Sequence, residues 1–140
     1  MQKKKVQVAV YYRDDDSLKY FLLLKMNERR HGHWQNITGG VEKNEDFLTA
    51  AYRELNEETS ISKDDIKQFH NCPLVFKFTD QWENDVIENC FIVELNNKIE
   101  ILLDPNEHQA FSWVNENEIK PTSVHYKSNY DVLIYGIENL

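Results

Sequence analysis

Three glutamates in one short segment have the spacing of a site for a divalent cation. Glu54, Glu57 and Glu58 are separated by intervals of three and four residues. If residues 47–59 form a helix, with about 100° of rotation per residue, the three carboxylates share one face and repel one another. A bound cation would offset this repulsion, and oxygen ligands favour Mg²⁺ or Mn²⁺ over zinc. The carboxylates alone leave a simpler alternative open, namely a solvated acidic helix face.

The residues around these glutamates extend the pattern. Gly39 is followed after five residues by Glu45, and after seven more by the run RELNEETSI at residues 53–61. This arrangement resembles the Nudix box, Gly-x5-Glu-x7-Arg-Glu-aliphatic-x-Glu-Glu-x-Gly-aliphatic, at every fixed position but one. Ser60 stands where the family has glycine. A glycine there ends the helix in a left-handed conformation, so we expect serine to cost on the order of 1 kcal/mol and to leave the ligands unchanged.

The resemblance implies a role for each box carboxylate. It implies hydrolysis of a phosphoanhydride bond with Mg²⁺, or Mn²⁺, as cofactor. Glu57 and Glu58 fall on the family's direct metal ligands, and Glu54 falls on a position that is either a ligand or the general base. Glu45 is a weaker, outer ligand candidate.

Arg53 and the glycine pair are expected to support these carboxylates. The resemblance implies that a backbone carbonyl beside the box glycine, that of Thr38 or Gly39, completes the metal site. It also implies that Arg53 pairs with a box glutamate and assists catalysis, whereas a surface helix arginine is the alternative. Gly39 and Gly40 allow other groups to come close to the backbone. At Gly40 we expect that group to be the substrate. An ordinary tight turn would need the same glycines.

Candidate residues also lie outside the box. Many family members carry a glutamate in a late loop that reaches the metals, and Glu107 is the corresponding catalytic candidate, with Glu88 ranked below it. Solvated glutamates are the alternative for both.

A basic loop precedes the box, and it is a candidate substrate-binding segment. Arg29, Arg30 and His33 could hold the outer phosphates of a substrate, although a solvated loop is an equally good interpretation. Trp34 could stack on a base, whereas a large aromatic residue entering a strand is more often part of the core.

Composition restricts the classes of function. A chain of 140 residues predicts a single domain over residues 1–140. The net charge of −8 argues against a nucleic-acid polymer or an anionic membrane as partner, but not against a small phosphorylated, nucleotide-like substrate. Cys72 and Cys90 form no CxxC pair, and no run approaches membrane-spanning length. We therefore expect a cytoplasmic protein with free thiols, present as a monomer or homodimer.

Hydrophobic periodicity predicts strands before and after the box helix, and a second helix at the end of the chain. The predicted strands are residues 6–10, 20–26, 34–38, 68–79, 86–95 and 107–114. The predicted helices are residues 47–59, capped by Asn44 with Leu48 on the buried face, and residues 128–139, capped by Ser128. This order predicts an α/β or α+β class. The resemblance implies the Nudix fold, a mixed β-sheet sandwiched between α-helices.

Local strings suggest which substrate the site takes. The string WQNITG at residues 34–39 is similar to that of dihydroneopterin triphosphate pyrophosphatases, and Glu107-His108 with Phe111-x-Trp113 is similar to dinucleoside polyphosphate hydrolases. Our first interpretation is a MutT-like pyrophosphohydrolase of a (deoxy)nucleoside triphosphate or a related pterin triphosphate. The alternatives are a dinucleoside polyphosphate hydrolase and a non-catalytic nucleotide-binding module with the same fold.

Overall fold

A single seven-stranded sheet forms the centre of the molecule. A computed structural model describes residues 2–140. The strands are β1 (Gln2–Arg13), β2 (Lys19–Met26), β3 (Trp34–Gln35), β4 (Ile37–Gly40), β5 (Ile66–Thr79), β6 (Asp85–Leu95) and β7 (His108–Asn115). The main path runs β3-β2-β1-β6-β5, with β4 paired to β1 and β7 paired to β2. Strand β1 pairs with β6 in parallel and with β2 and β4 in antiparallel, so the sheet is mixed.

Two helices, α1 (Phe47–Thr59) and α2 (Lys127–Asn139), cover the two faces of this sheet. Alternate residues of β1 point to opposite faces. Val8 packs in the same cluster as Leu55 of α1, whereas Ala9 packs with Leu133 of α2. The predicted α+β class, with a mixed sheet between helices, is confirmed.

All six predicted strand regions are present, and the one at residues 34–38 is divided in two. Asn36 separates β3 from β4 because its backbone N–H donates to Oδ1 of Asn129 in α2, at 2.8 Å, and not to a neighbouring strand. Pro73 lies where the register between β5 and β6 shifts, because proline has no backbone N–H to donate to the neighbouring strand.

The predicted helix caps were wrong. An N-cap needs an extended backbone, but Asn44 has φ 66°, and Asp46 caps α1 by accepting from the backbone N–H of Thr49 at 2.7 Å. Helix α2 begins at Lys127 after Tyr126, so Ser128 lies inside its first turn. Leu48 is 46% exposed and not buried, because it lies in the first turn of α1, ahead of the residues that pack on the sheet.

The end of α1 agrees with the prediction made for Ser60. This residue has φ 64° and ψ 14°, and its N–H donates to the carbonyl of Asn56 at 2.8 Å. Serine therefore adopts the left-handed conformation that a glycine normally supplies.

Within residues 2–140, no helix combines the length and the apolar character that crossing a bilayer requires.

Candidate active site

Gly39 and Glu54 are in close contact where β4 passes beside α1. A Cβ atom added at Gly39 would overlap the carboxyl group of Glu54. The absent side chain therefore makes room for this carboxyl against the backbone of β4. Glu54 is buried, and burial raises its pKa against the lowering effect of Arg53.

Arg53 links three glutamates and the backbone of the glycine pair. Its Nε donates to Glu45 at 2.9 Å, and its Nη2 donates to the carbonyl of Gly40 at 2.8 Å. Its Nη1 donates to Glu54 at 3.0 Å and to Glu57 at 3.2 Å. Hydrogen bonding to Arg53 lowers the pKa of Glu45 to about 2. One guanidinium thus offsets the repulsion among these carboxylates, and Arg53 is not a free surface arginine.

A second group of ligand-type side chains lies near the C-terminal end of α1, one turn beyond Glu54. Glu58, Glu107 and His108 each offer an atom within 4.8 Å of the others. Oε2 of Glu58 lies 2.7 Å from Nδ1 of His108, and both atoms are buried without an aligned hydrogen bond. Contact with Glu58, followed by burial, raises the pKa of Glu107 to about 7. Burial opposes ionisation of Glu58, yet its contacts with His108 and Glu107 keep its pKa below the ordinary value.

The three box glutamates of α1 differ in exposure. Glu54 and Glu58 are buried, whereas the side chain of Glu57 is 54% exposed. The buried face of α1 therefore includes Glu54 and Glu58, and Ala50, one turn before Glu54, is fully buried. A small residue at that position lets the helix approach the sheet.

The donors of the second group fit a divalent cation. Two carboxylates and one imidazole converge, and the buried Glu58 and His108 atoms lack the hydrogen bonds that such atoms normally make. A set dominated by oxygen suits Mg²⁺ or Mn²⁺. We did not predict His108 as a ligand. Its only sequence signal is its position beside Glu107, because the contact with Glu58 depends on how β7 pairs with β2.

The basic loop before β3 is tied to the segment that precedes β7. Arg29 donates to the carbonyl of Asn106, and the guanidinium of Arg30 lies 3.9 Å from Glu107. His33 stacks on His125 with ring centroids 3.5 Å apart. Arg29, Arg30 and His33 line a cavity of about 900 Å³.

The other predicted site residues have different surroundings. Trp34 is partly buried against the α2 side of the core, in agreement with the core interpretation. Thr38 lines the cavity beside Arg30, and its hydroxyl accepts from the Gln35 amide at 3.2 Å. Gly40 and Glu45 line a second cavity of about 860 Å³.

Comparison with known proteins identifies the family. A model of the NUDIX domain matches residues 3–133. The chain belongs to the NUDIX family. The family resemblance predicted from the glutamate segment is thereby confirmed, and the match extends over nearly the whole chain.

Curated relatives of this Nudix chain include a pyrophosphohydrolase and a tetraphosphatase. It is 46% identical over 56 residues to an RNA pyrophosphohydrolase of Pelagibacter ubique (strain HTCC1062), covering 40% of this chain and 33% of that protein. It is 30% identical over 93 residues to an asymmetrical bis(5'-nucleosyl)-tetraphosphatase of Caenorhabditis elegans, covering 66% of this chain and 65% of that protein. In both relatives the match spans less than two thirds of the relative's own length.

Solved Nudix structures share the fold over the whole chain. The E. coli dihydroneopterin triphosphate pyrophosphohydrolase superposes with a TM-score of 0.81 at 22% identity, covering 98% of this chain and 96% of the other. At this identity the likeness concerns the fold alone.

Proposed function

We propose that this Nudix chain hydrolyses a phosphoanhydride bond in a nucleoside diphosphate linked to another group, with Mg²⁺ or Mn²⁺ as cofactor. The observation that carries the proposal is the pair of buried carboxylates on α1, Glu54 and Glu58, beside Glu107 and Arg53. Burial of several acidic groups is costly unless they are paired or coordinate a cation. Arg53 pairs with Glu54, but the buried Oε2 of Glu58 and Nδ1 of His108 lack aligned hydrogen bonds and converge with Glu107, which supports a cation at this point.

The proposed roles follow the surroundings of each side chain. Glu58, Glu107 and His108 hold the cation, with Glu57 as a solvent-facing ligand. A bound cation would neutralise phosphate charge and lower the pKa of a nearby water. Glu54 is the proposed general base, because Arg53 holds its Oε1 and leaves its other oxygen to accept the proton.

Arg53 and the basic loop position these groups and the substrate. Arg53 holds Glu45 and the Gly40 carbonyl, so the box loop and α1 move as one unit. Arg30, which lies beside Glu107, is the proposed contact for the outer phosphates.

The proposed substrate is a (deoxy)nucleoside triphosphate or a related pterin triphosphate. Support comes from the fold likeness to the E. coli dihydroneopterin triphosphate enzyme and from the WQNITG string. The alternative of a non-catalytic module is weaker, because the chain retains all four box glutamates.

A dinucleoside polyphosphate is the second candidate substrate. The two cavities share Lys5, Phe78 and Trp82 as a common rim. Two neighbouring cavities could each take one heterocycle of such a substrate, which agrees with the name of the C. elegans relative.

We also propose that residues 1–140 act as a single domain in the cytoplasm. The single sheet supports the first statement. Cys72 and Cys90 are buried free thiols, which is typical of a reducing compartment and supports the second.

Replacement of Glu57 tests the proposal. Glu57→Gln removes one charge at an exposed position, so the fold should persist while phosphate or pyrophosphate release falls at least about 10-fold. Release would be measured with Mg²⁺ over a panel of nucleoside triphosphates, a pterin triphosphate and dinucleoside polyphosphates. Glu42→Gln is the matched control, because Glu42 is an exposed carboxylate 3.8 Å from the same Arg53 guanidinium. Equal rates for wild type and Glu57→Gln would overturn the assignment.

A further inference from the structure

Four buried polar side chains form a continuous relay across the sheet. The backbone N–H of Asn36 donates to Oδ1 of Asn129 in α2 at 2.8 Å, and the Nδ2 of Asn36 donates to Oε1 of Gln7 at 2.8 Å. Gln7 in turn donates from its Nε2 to Oε1 of Glu88 at 2.9 Å. Each member is at most 4% exposed. Oδ1 of Asn36 is buried without a hydrogen-bond partner in residues 2–140, so the relay costs free energy that an apolar core would not.

The relay ends on a carboxyl group that faces the cavity of about 900 Å³. Glu88 lines this cavity, and Gln7 fixes one of its oxygens. Within residues 2–140, Gln7 is the hydrogen-bond donor to Glu88, and it leaves the other oxygen, Oε2, free. Burial raises the pKa of Glu88, while Gln7 and Lys5 act in the opposite direction. A further donor placed against Oε2 would satisfy this carboxylate.

The rest of the cavity suits a flat ring attached to phosphates. Phe76, Phe78 and Trp82 line it, and Phe78 and Trp82 are 43% and 70% exposed. Exposed aromatic faces beside a cavity are suited to stacking on a heterocycle. Arg30 lines the same cavity and lies beside Glu107, so the cavity adjoins the proposed hydrolytic site.

We propose that this cavity binds the heterocycle of the substrate and that Glu88 selects rings with adjacent N–H and NH₂ donors, the 2-amino-4-oxopyrimidine edge shared by guanine and pterins. Oε2 of Glu88 can accept one donor of that edge, and the second lone pair of Oε1, which also accepts from Gln7, can accept the other. Hypoxanthine keeps the ring N–H but lacks the amino group. Adenine places a ring acceptor beside its amino group, and that acceptor faces the carboxylate lone pairs. The inference rests on the proposed function and specifies the substrate class of that site.

Nucleoside monophosphates test ring selection separately from hydrolysis, because they contain no phosphoanhydride bond. GMP, IMP and AMP would be titrated into the full chain by calorimetry. We expect GMP to bind roughly 10-fold or more tightly than IMP and AMP. Glu88→Gln should weaken GMP at least about 10-fold and change AMP less than about 2-fold.

Two further variants separate recognition from folding. Glu94→Gln is the matched control, because Glu94 is a buried carboxylate on the same strand that bonds to Tyr11 and lies outside the cavity. It should leave GMP affinity unchanged. Glu88→Asp keeps the charge but withdraws it from the cavity, so it should reduce GMP affinity selectively even if Glu88→Gln does not fold.

The outcomes distinguish this inference from the proposed function. Equal binding of GMP and AMP by the wild type, equal weakening of both by Glu88→Gln or Glu88→Asp, or no GMP binding at millimolar concentration would overturn ring selection, whatever the hydrolysis assay shows. Selective GMP binding without phosphate release from any triphosphate or dinucleotide would support ring selection and contradict hydrolysis.

Discussion

At the scale of single residues, the site depends on Gly39 having no side chain. Gly39 is the first residue of the Nudix box, and the sequence predicts it near the metal ligands. The structure adds the reason for glycine, because the Glu54 carboxyl occupies the space that a Cβ would fill. The constraint acts on a proposed catalytic group and not on a backbone angle, since Gly39 is not among the positive-φ residues.

Gly39→Ala should therefore displace Glu54. The added methyl group meets the end of a flexible side chain, so we expect a loss of roughly 1–3 kcal/mol in the free energy of unfolding and a clear fall in turnover. Urea unfolding and phosphate release would measure the two effects. Gly40→Ala is the stability control, because nothing lies within 4 Å of its added Cβ. Wild-type stability and turnover in Gly39→Ala would show that Glu54 does not need its present position.

Other residue contacts lay beyond sequence reasoning. The contact between Glu58 and His108 joins a helix to a distant strand, and no spacing rule connects them. The sequence makes Glu88 a lower candidate for the metals, but in the structure Glu88 lies on the cavity wall and bonds to Gln7. Gln7 of β1 lies beside Glu88 of β6 because these two strands pair in parallel, and the sequence does not specify that pairing.

At the scale of elements, periodicity predicted the main segments well and their ends poorly. The helix at residues 47–59 and the strand regions follow from repeating apolar positions. The caps failed because several polar residues near a helix start compete, and backbone angles decide among Asn44, Glu45 and Asp46. The rotation of α1 that buries Glu54 and Glu58 depends on its packing against β1 and β4.

The end of α1 offers a test at this scale. Ser60 holds a left-handed conformation that is unfavourable for a residue with a Cβ. Ser60→Gly should raise the free energy of unfolding by up to about 1 kcal/mol, measured by urea unfolding. Ser128→Gly, inside the first turn of α2, should instead lower it by roughly 0.5–1 kcal/mol. A loss of stability in Ser60→Gly would contradict the strain at the helix end.

At the scale of the whole molecule, the fold brings together proposed ligands that are far apart in the sequence. Helix α1 supplies the box carboxylates from one face of the sheet, and the pairing of β7 with β2 delivers Glu107 and His108 to them. The cavity beside Arg30 draws walls from β5, β6 and α2. The family pattern was sufficient to predict this architecture, whereas the shape of the cavity depends on loops that carry no periodic signal.

The central claim is that Glu57, Glu58, Glu107 and His108 bind a divalent cation. Thermal unfolding with and without divalent metal tests this claim most directly. A cation that binds only the folded chain stabilises it by about 1.4 kcal/mol at ten times its Kd, which raises the Tm by several degrees. We predict this rise with Mg²⁺ or Mn²⁺ for the wild type and Glu42→Gln, and a much smaller rise for Glu57→Gln. An unchanged Tm for the wild type at millimolar Mg²⁺ and Mn²⁺, or an equal rise in all three proteins, would contradict the account.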